Sequence, residues 1–315
     1  MINSPDLSVI GVPKAGTTSI HTWLQSRDGI NGAVPKETFF FMDDGHPLAN
    51  KLCNFHQPQH KSYQHFFNAH KTGRTLDSTT HYLYSQTALE HFRENKTKVC
   101  VVLREPVSRL VSYFNYIGFS RGGFKSSIDF SEFVSGLISN DVDSFRKQFS
   151  NEREFFSLET SLDQGNYQKY LQKWTREIDS GNLNVVFFED MVADRNRFLK
   201  SLAHFFEIEI EQNDLNDFSV QNESRNVKFP ALNQWIRSAG SYLKRIPFYE
   251  PIRRTYHTLQ AGSKIEFDWQ QHSNAIQQLH QYYQPLNEQL FSLLQIDTNR
   301  WSETRPTVAN SSTTN

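Results

Sequence analysis

The chain has 315 residues and a formal net charge of −1, so it lacks the global basic pull toward nucleic acid, and no nucleic-acid partner is expected. Two cysteines, Cys53 and Cys100, exclude a disulfide framework, while 26 Phe, 12 Tyr and 5 Trp supply material for a sizeable core. No apolar run approaches the roughly 20 residues needed to span a bilayer, and no basic segment followed by an apolar one opens the chain, which predicts a soluble, cytoplasmic protein.

The first predicted element is a strand starting by Leu7 in LSVIGVPKAGTTSIHTWL (7–24). A glycine-bearing loop follows, then a helix with Ile20, Trp23 and Leu24 on one face. Strand, loop and helix in this order is how a phosphate-binding loop begins. The Walker pattern, however, requires lysine at position 17, where this chain has Thr17; its lysine is Lys14, inside the loop. That displacement weighs against a P-loop kinase. A helix N-terminus binds anions through backbone N–H groups and the helix dipole. In Lys14, Ala15, Gly16, Thr17, Thr18 and Ser19, the glycine permits close backbone approach, the hydroxyls add donors and the ammonium adds a point charge. An ordinary strand-to-helix turn with an exposed lysine is the alternative.

Next comes CNFHQPQHKSYQHFFNAHK (53–71), whose Cys53, His56, His60, His65 and His70 invite a metal reading. Pro58 interrupts any helix that would align His56 with His60, and there is no Cys-x-x-Cys pair, so no metal is expected and the segment reads as an aromatic, polar loop forming one wall of a cleft. Further strands are predicted at RTLDST (74–79), KVCVVL (98–103) and LNVVFF (183–188). After the strand ending at Leu103, Arg104 stands where ligands bind in open α/β sheets, and Pro106 suits the first turn of a helix bearing Ser108 and Ser112 on one face. Arg104 can fork onto a phosphate with Ser112 as co-donor, or pair with Glu105 at the surface.

Tyr167, Tyr170, Leu171 and Trp174 mark another helix, and Leu279, Tyr283, Leu286, Leu290 and Leu294 a long final one at about 270–295; both stripes read as core. Between Arg225 and Lys264 stand eight basic residues and one acid, Glu250. Within it, 232–256 is basic with interleaved aromatics and suits peripheral contact with an anionic membrane or another polyanion. The fold class predicted is α/β, a P-loop-type three-layer α/β/α arrangement with a central parallel sheet, as a single domain over 1–300 with a disordered tail over 301–315.

Together, PKAGTTS and REPVSRLVSYF resemble the 5′-phosphosulfate loop and the 3′-phosphate motif of sulfotransferases that use 3′-phosphoadenosine 5′-phosphosulfate (PAPS). The likeness is to the heparan sulfate sulfotransferase domains and their bacterial relatives, and continues through KETFFF (36–41), LDSTTHYLYS (76–85), GNYQKYLQKW (165–174) and YYQPLNEQLFSLL (282–294). It implies PAPS as donor and PAP as product, without a metal. Lys14 would stabilise the departing phosphate, and Arg104 with Ser112 would hold the 3′-phosphate. Arg225 and Lys228 correspond loosely to a late basic loop closing over that phosphate.

Glu37 resembles the general base of the 3-O-type heparan enzymes, and burial by Phe39 to Phe41 is expected to raise its pKa. Pairing with Lys36 or Lys14 is the structural alternative. His81 is the rival base, similar to the histidine that cytosolic sulfotransferases carry after a central strand; a surface turn residue is the alternative. Where the heparan-type enzymes show a lysine, this chain has Ser78. One cation is therefore missing, which admits a PAP-binding module impaired in transfer. The acceptor, a glycan, a lipid-linked or a small hydroxylated molecule, is left open.

Overall fold

The computed structural model describes residues 4–57, 63–219, 225–227, 261–264, 266–297 and 300–301. In chain order the elements begin with β1 (Leu7–Gly11), α1 (Thr17–Gln25), β2 (Ile30–Gly32), β3 (Arg74–Asp77), α2 (Gln86–Asn95) and β4 (Lys98–Leu103). They continue with α3 (Pro106–Asn115), α4 (Phe130–Ser139), α5 (Glu152–Glu159), α6 (Tyr167–Leu171), α7 (Thr175–Asp179), β5 (Leu183–Phe187), α8 (Phe188–Ala193) and α9 (Arg195–Phe206). Last come α10 (Gln212–Asn216), β6 (Arg225–Val227), β7 (Ala261–Lys264) and α11 (Ser273–Leu294).

The fold is α/β, with a five-stranded, all-parallel sheet flanked by helices. The chain divides into two compact units, one comprising residues 1–104 and 169–222, the other 105–168 and 223–315. The first holds the sheet, in the order β2-β3-β1-β4-β5. Its middle strands, LSVIG and KVCVVL, are apolar because parallel strands are covered on both faces; every residue of β1, and all of β4 after Lys98, is buried. The chain leaves β1 toward β2 on one side and pairs with β4 on the other. This makes the carboxyl ends of β1 and β4 a topological switch point, where α/β sheets bind ligands.

The second unit is helical around a cluster that includes Leu110, Phe114, Phe133, Phe155, Leu279 and Tyr283. Pro106 opens α3 as its sequence position predicts, and the Glu105 carboxylate caps that helix by accepting from the N–H groups of Val107 (3.0 Å) and Ser108 (2.6 Å). Glu105 thus serves as a helix cap. The predicted strands at 98–103 and 183–188 are present, the latter ending at Phe187, while 74–79 is extended only to Asp77. The short strand β2 and the β6–β7 pair carry too little apolar alternation to be seen in advance. Trp301, the first residue of the predicted tail, is only 6% exposed and packs on Phe291 at 5.1 Å between ring centroids. The rest of the predicted tail lies outside the described residues, as does 232–256. Among the described residues, no helix is long and apolar enough to cross a membrane.

Candidate active site

The loop after β1 carries two residues in the left-handed region, Lys14 (φ 70°) and Gly16 (φ 76°). Gly16 is the N-cap of α1, and no side chain caps that helix end. The donors and dipole of the α1 N-terminus are therefore presented at the carboxyl edge of the sheet, as an anion site requires. Glycine at 16 is required by its φ; a Cβ there would also stand 2.5 Å from Met191 Cε, the tip of a flexible side chain, and 3.3 Å from Phe188 Cδ2. Helix α8, directly after β5, thus packs against the loop from the side.

Arg104, one residue beyond β4, reaches the same loop. Its Nη1 donates to the Lys14 carbonyl oxygen at 2.8 Å, and its guanidinium lies 4.6 Å over the Phe188 ring. Arg104 is therefore adjacent to the predicted anion loop. Burial, with the Arg104 charge adding to it, pushes the half-buried Lys14 ammonium down to a pKa of about 8. Two cations and a helix N-terminus gathered at one strand edge suit a polyanionic ligand.

A second cluster lies beyond β3. Lys36 Nζ donates to Thr17 Oγ1, on the first residue of α1, at 3.2 Å, and stands 3.5 Å from Glu37 Oε1. The same carboxylate oxygen accepts from Thr80 Oγ1 at 2.7 Å, and Thr80 Oγ1 is 3.4 Å from His81 Nδ1. The two rival bases of the sequence thus share one threonine hydroxyl. His81 is 5% exposed, which removes the surface-turn alternative. Its ring stands 5.8 Å from that of Phe39.

The expected rise of the Glu37 pKa is corrected. Burial does push it up, but Lys36, His81 and the Thr80 hydrogen bonds together outweigh burial and hold the carboxyl at about 2. Phe40 and Phe41 do not serve as a hydrophobic cover for Glu37: both are core residues, Phe40 packing on Tyr63 at 4.9 Å and Phe41 stacking on His91 at 4.7 Å.

Asp77, at the end of β3, fixes this geometry. Its carboxylate accepts from Thr38 Oγ1 (2.7 Å), Tyr63 OH (2.9 Å), Tyr82 OH (3.2 Å) and Thr79 Oγ1 (2.7 Å). The Thr38 N–H in turn donates to Thr79 Oγ1 at 2.9 Å. Burial pushes the Asp77 pKa up against these hydrogen bonds, whose number is what a fully buried carboxylate needs. At the position of the absent lysine, the Ser78 hydroxyl is buried 2.8 Å from His21 Nδ1, on α1. Burial first, then Lys36, pushes the His21 pKa down to about 3, so this imidazole is neutral.

Sequence reasoning missed Lys36, Asp77, His21, Phe188 and Met191 as parts of the site. The available signals were the charged pair opening KETFFF and the residues just past each strand end. Ser112 lies on α3 of the second unit, half-buried beside Ser108's face of the helix, while Leu110, Val111 and Phe114 are buried as predicted. Arg225 belongs to β6, opposite Lys264 of β7; Lys228 lies outside the described residues. In the histidine-rich segment, His56 Nε2 is 3.2 Å from Thr87 Oγ1 and Cys53 is buried. His65 and His70 are exposed, and no cluster of three or more metal-ligating side chains occurs among the described residues.

A family model described as "Sulfotransferase domain" matches residues 4–245. No curated protein matches the chain. Among solved structures, a sulfotransferase from Alicyclobacillus acidocaldarius is similar with a TM-score of 0.60 and 14% identity, over 96% of this chain and 100% of that one. Mouse sulfotransferase SULT7A1 complexed with PAP gives a TM-score of 0.44 at 14% identity, over 88% of this chain and 89% of that one. The first of these is a likeness of fold.

Proposed function

This chain belongs to the sulfotransferase domain family and is a PAPS-dependent sulfotransferase, and we propose that it uses Lys14 to stabilise the leaving phosphate and Glu37 as general base toward a hydroxyl or amine acceptor. Bound PAPS supplies an activated sulfuryl group. The residues present fit such a donor: an uncapped helix N-terminus, a left-handed glycine that opens the loop, and Lys14 and Arg104 at the strand edge. Arg104 with Ser112 is proposed to hold the 3′-phosphate, with Arg225 and Lys228 as further candidates.

In the proposed transfer, a bond forms between the acceptor atom and sulfur while the bridging oxygen–sulfur bond breaks. Glu37 takes the acceptor proton. Lys14 balances the charge left on the phosphate oxygen, a contribution of positioning and electrostatics of the kind that dominates phosphoryl transfer. His81, linked to Glu37 through Thr80, is the other candidate for the proton. The observation that carries the proposal is the Arg104–Lys14 hydrogen bond, which supports two anion cradles at neighbouring strand ends.

The test is PAP release from PAPS by Lys14→Ala and Glu37→Gln, with PAP affinity measured alongside. Both variants are expected to lose turnover, and Glu37→Gln to retain PAP binding. Full turnover by Glu37→Gln transfers the base role to His81. Tighter binding of magnesium-ATP than of PAP would end the assignment of Lys14 and Arg104 to a PAP site. The presence of Ser78 in place of the family's lysine favours one second reading, a module that binds PAP without transfer. It is recognised by PAP-dependent thermal stabilisation with no PAP formed from PAPS.

A further inference from the structure

We propose that Lys36 is a shared cation, held between Glu37 and the mouth of the anion loop, and that an anion entering the loop draws it off Glu37 and frees that carboxylate to accept a proton. The inference rests on the donor-binding reading above and deepens it. Its basis is geometric. One ammonium stands 3.2 Å from Thr17 Oγ1, on the first residue of α1, and 3.5 Å from Glu37 Oε1. The Lys36 side chain is 18% exposed and that of Glu37 33%, so an incoming anion can reach the pair while bulk water screens it only in part.

The adjoining segments leave Lys36 as the movable member. Glu37 is tied to Thr80 by a 2.7 Å hydrogen bond, and the main chain around Glu37 is fixed by Thr38, whose N–H and hydroxyl bond to Thr79 and Asp77. Lys36 instead has a long flexible stem and three donors, and its two contacts are at the long end of the hydrogen-bond range. The charged or titratable groups facing the pair are His21 from α1 and His81 from the segment after β3. His21 is neutral, with its Nδ1 committed to Ser78, so it supplies no competing charge.

The device reconciles two facts that conflict in a static picture. A carboxyl held at about 2 is a weak base, yet its location beside the loop is what the proposed transfer needs. Removing an opposite charge from a carboxylate raises its pKa by about one to three units, and a nearby anion adds to the rise. Base strength then increases only when the loop is occupied, which limits unproductive proton uptake in the empty enzyme. Lys36 also supplies a cation at the α1 end that Ser78 does not provide.

The experiment is a carboxyl-carbon NMR titration of full-length protein labelled with ¹³C-glutamate, the Glu37 resonance being assigned by its loss in Glu37→Gln. PAP is the probe, and wild type, Lys36→Gln and Lys36→Arg are compared after thermal melts confirm that each is folded. In wild type, saturating PAP is expected to raise the Glu37 midpoint by about one to three units. In Lys36→Gln the midpoint is already raised without PAP, and the PAP-induced shift falls to less than half; Lys36→Arg retains most of it. An equal PAP-induced shift in Lys36→Gln overturns the proposal, as does a Glu37 midpoint that PAP does not move in wild type. Calorimetry on wild type separates the two levels: absent PAP affinity ends the donor-binding reading itself, whereas normal affinity with no Lys36-dependent shift ends only the inference about Lys36.

Discussion

Arg104 Nη1 donates to the main-chain carbonyl oxygen of Lys14 at 2.8 Å, so the side chain proposed to hold a phosphate also holds the loop proposed to bind the other end of the ligand. The planar guanidinium does this while lying over Phe188, at 4.6 Å. Lysine has the charge but neither the fork nor the stacking face. Arg104→Lys is therefore expected to weaken PAP binding by about ten- to hundredfold, the loss typical of a hydrogen bond to a charged group, as read by calorimetry.

Lys14 links donor binding to pH. Its folded pKa of about 8 lies below the ordinary 10.5, so the empty loop loses this charge as pH rises through 8. An anion favours the charged form, so binding above that pH takes up a proton, and PAP affinity is expected to fall by up to about tenfold per pH unit. The effect disappears in Lys14→Met.

The same shift gives a stability prediction. Between about 8 and 10.5 the unfolded chain binds the Lys14 proton and the folded one does not, so this group's contribution to stability rises with pH across that window. At pH 7 the folded protein carries a partly desolvated charge. Lys14→Met is expected to stabilise the ligand-free protein by up to about 3 kcal/mol while abolishing turnover. Urea unfolding of both proteins at pH 7 is the measurement.

Gly16→Ala separates φ strain from crowding. The nearest obstacle to a Cβ is Met191 Cε, the tip of a flexible side chain, whereas φ of 76° is a backbone cost no neighbour can relieve. The substitution is expected to cost about 1 kcal/mol or more and to weaken PAP binding. Adding Met191→Ala should restore little of either. Full rescue by the double variant would mean that contact with α8, rather than backbone conformation, requires the glycine.

His21 is expected to contribute to acid sensitivity. Its folded pKa of about 3 lies below the ordinary 6.5, so as pH falls below 6.5 the unfolded chain takes up a proton that the native state refuses, and stability drops. Between pH 7 and pH 5 this group alone accounts for about 2 kcal/mol. In His21→Gln the loss over that interval, measured by urea unfolding, is expected to be smaller by this amount.

Strand positions and the two candidate anion motifs were legible in the chain because each is local. The apolar run 98–103 followed by Arg104 and Pro106 carries its own strand, its own helix start and the charge between them. Lys14 to Ser19 likewise contains the glycine and hydroxyls of an anion loop within six consecutive residues. Family likeness, fold class and nucleotide-donor chemistry follow from such segments. The electrostatic state of the site could not be read this way. The pKa of Glu37 depends on Lys36 beside it but equally on Thr80 and His81, more than forty positions away, brought across by the Asp77 network. From adjacent phenylalanines alone, desolvation is the expected deciding force; in the folded chain the Phe40 and Phe41 rings turn into the core, and nearby charges and hydrogen bonds together outweigh desolvation. Local sequence determined which chemical groups stand at the strand ends. Tertiary structure decided their ionisation, because Coulomb and desolvation energies depend on through-space distance and burial, which linear spacing does not encode.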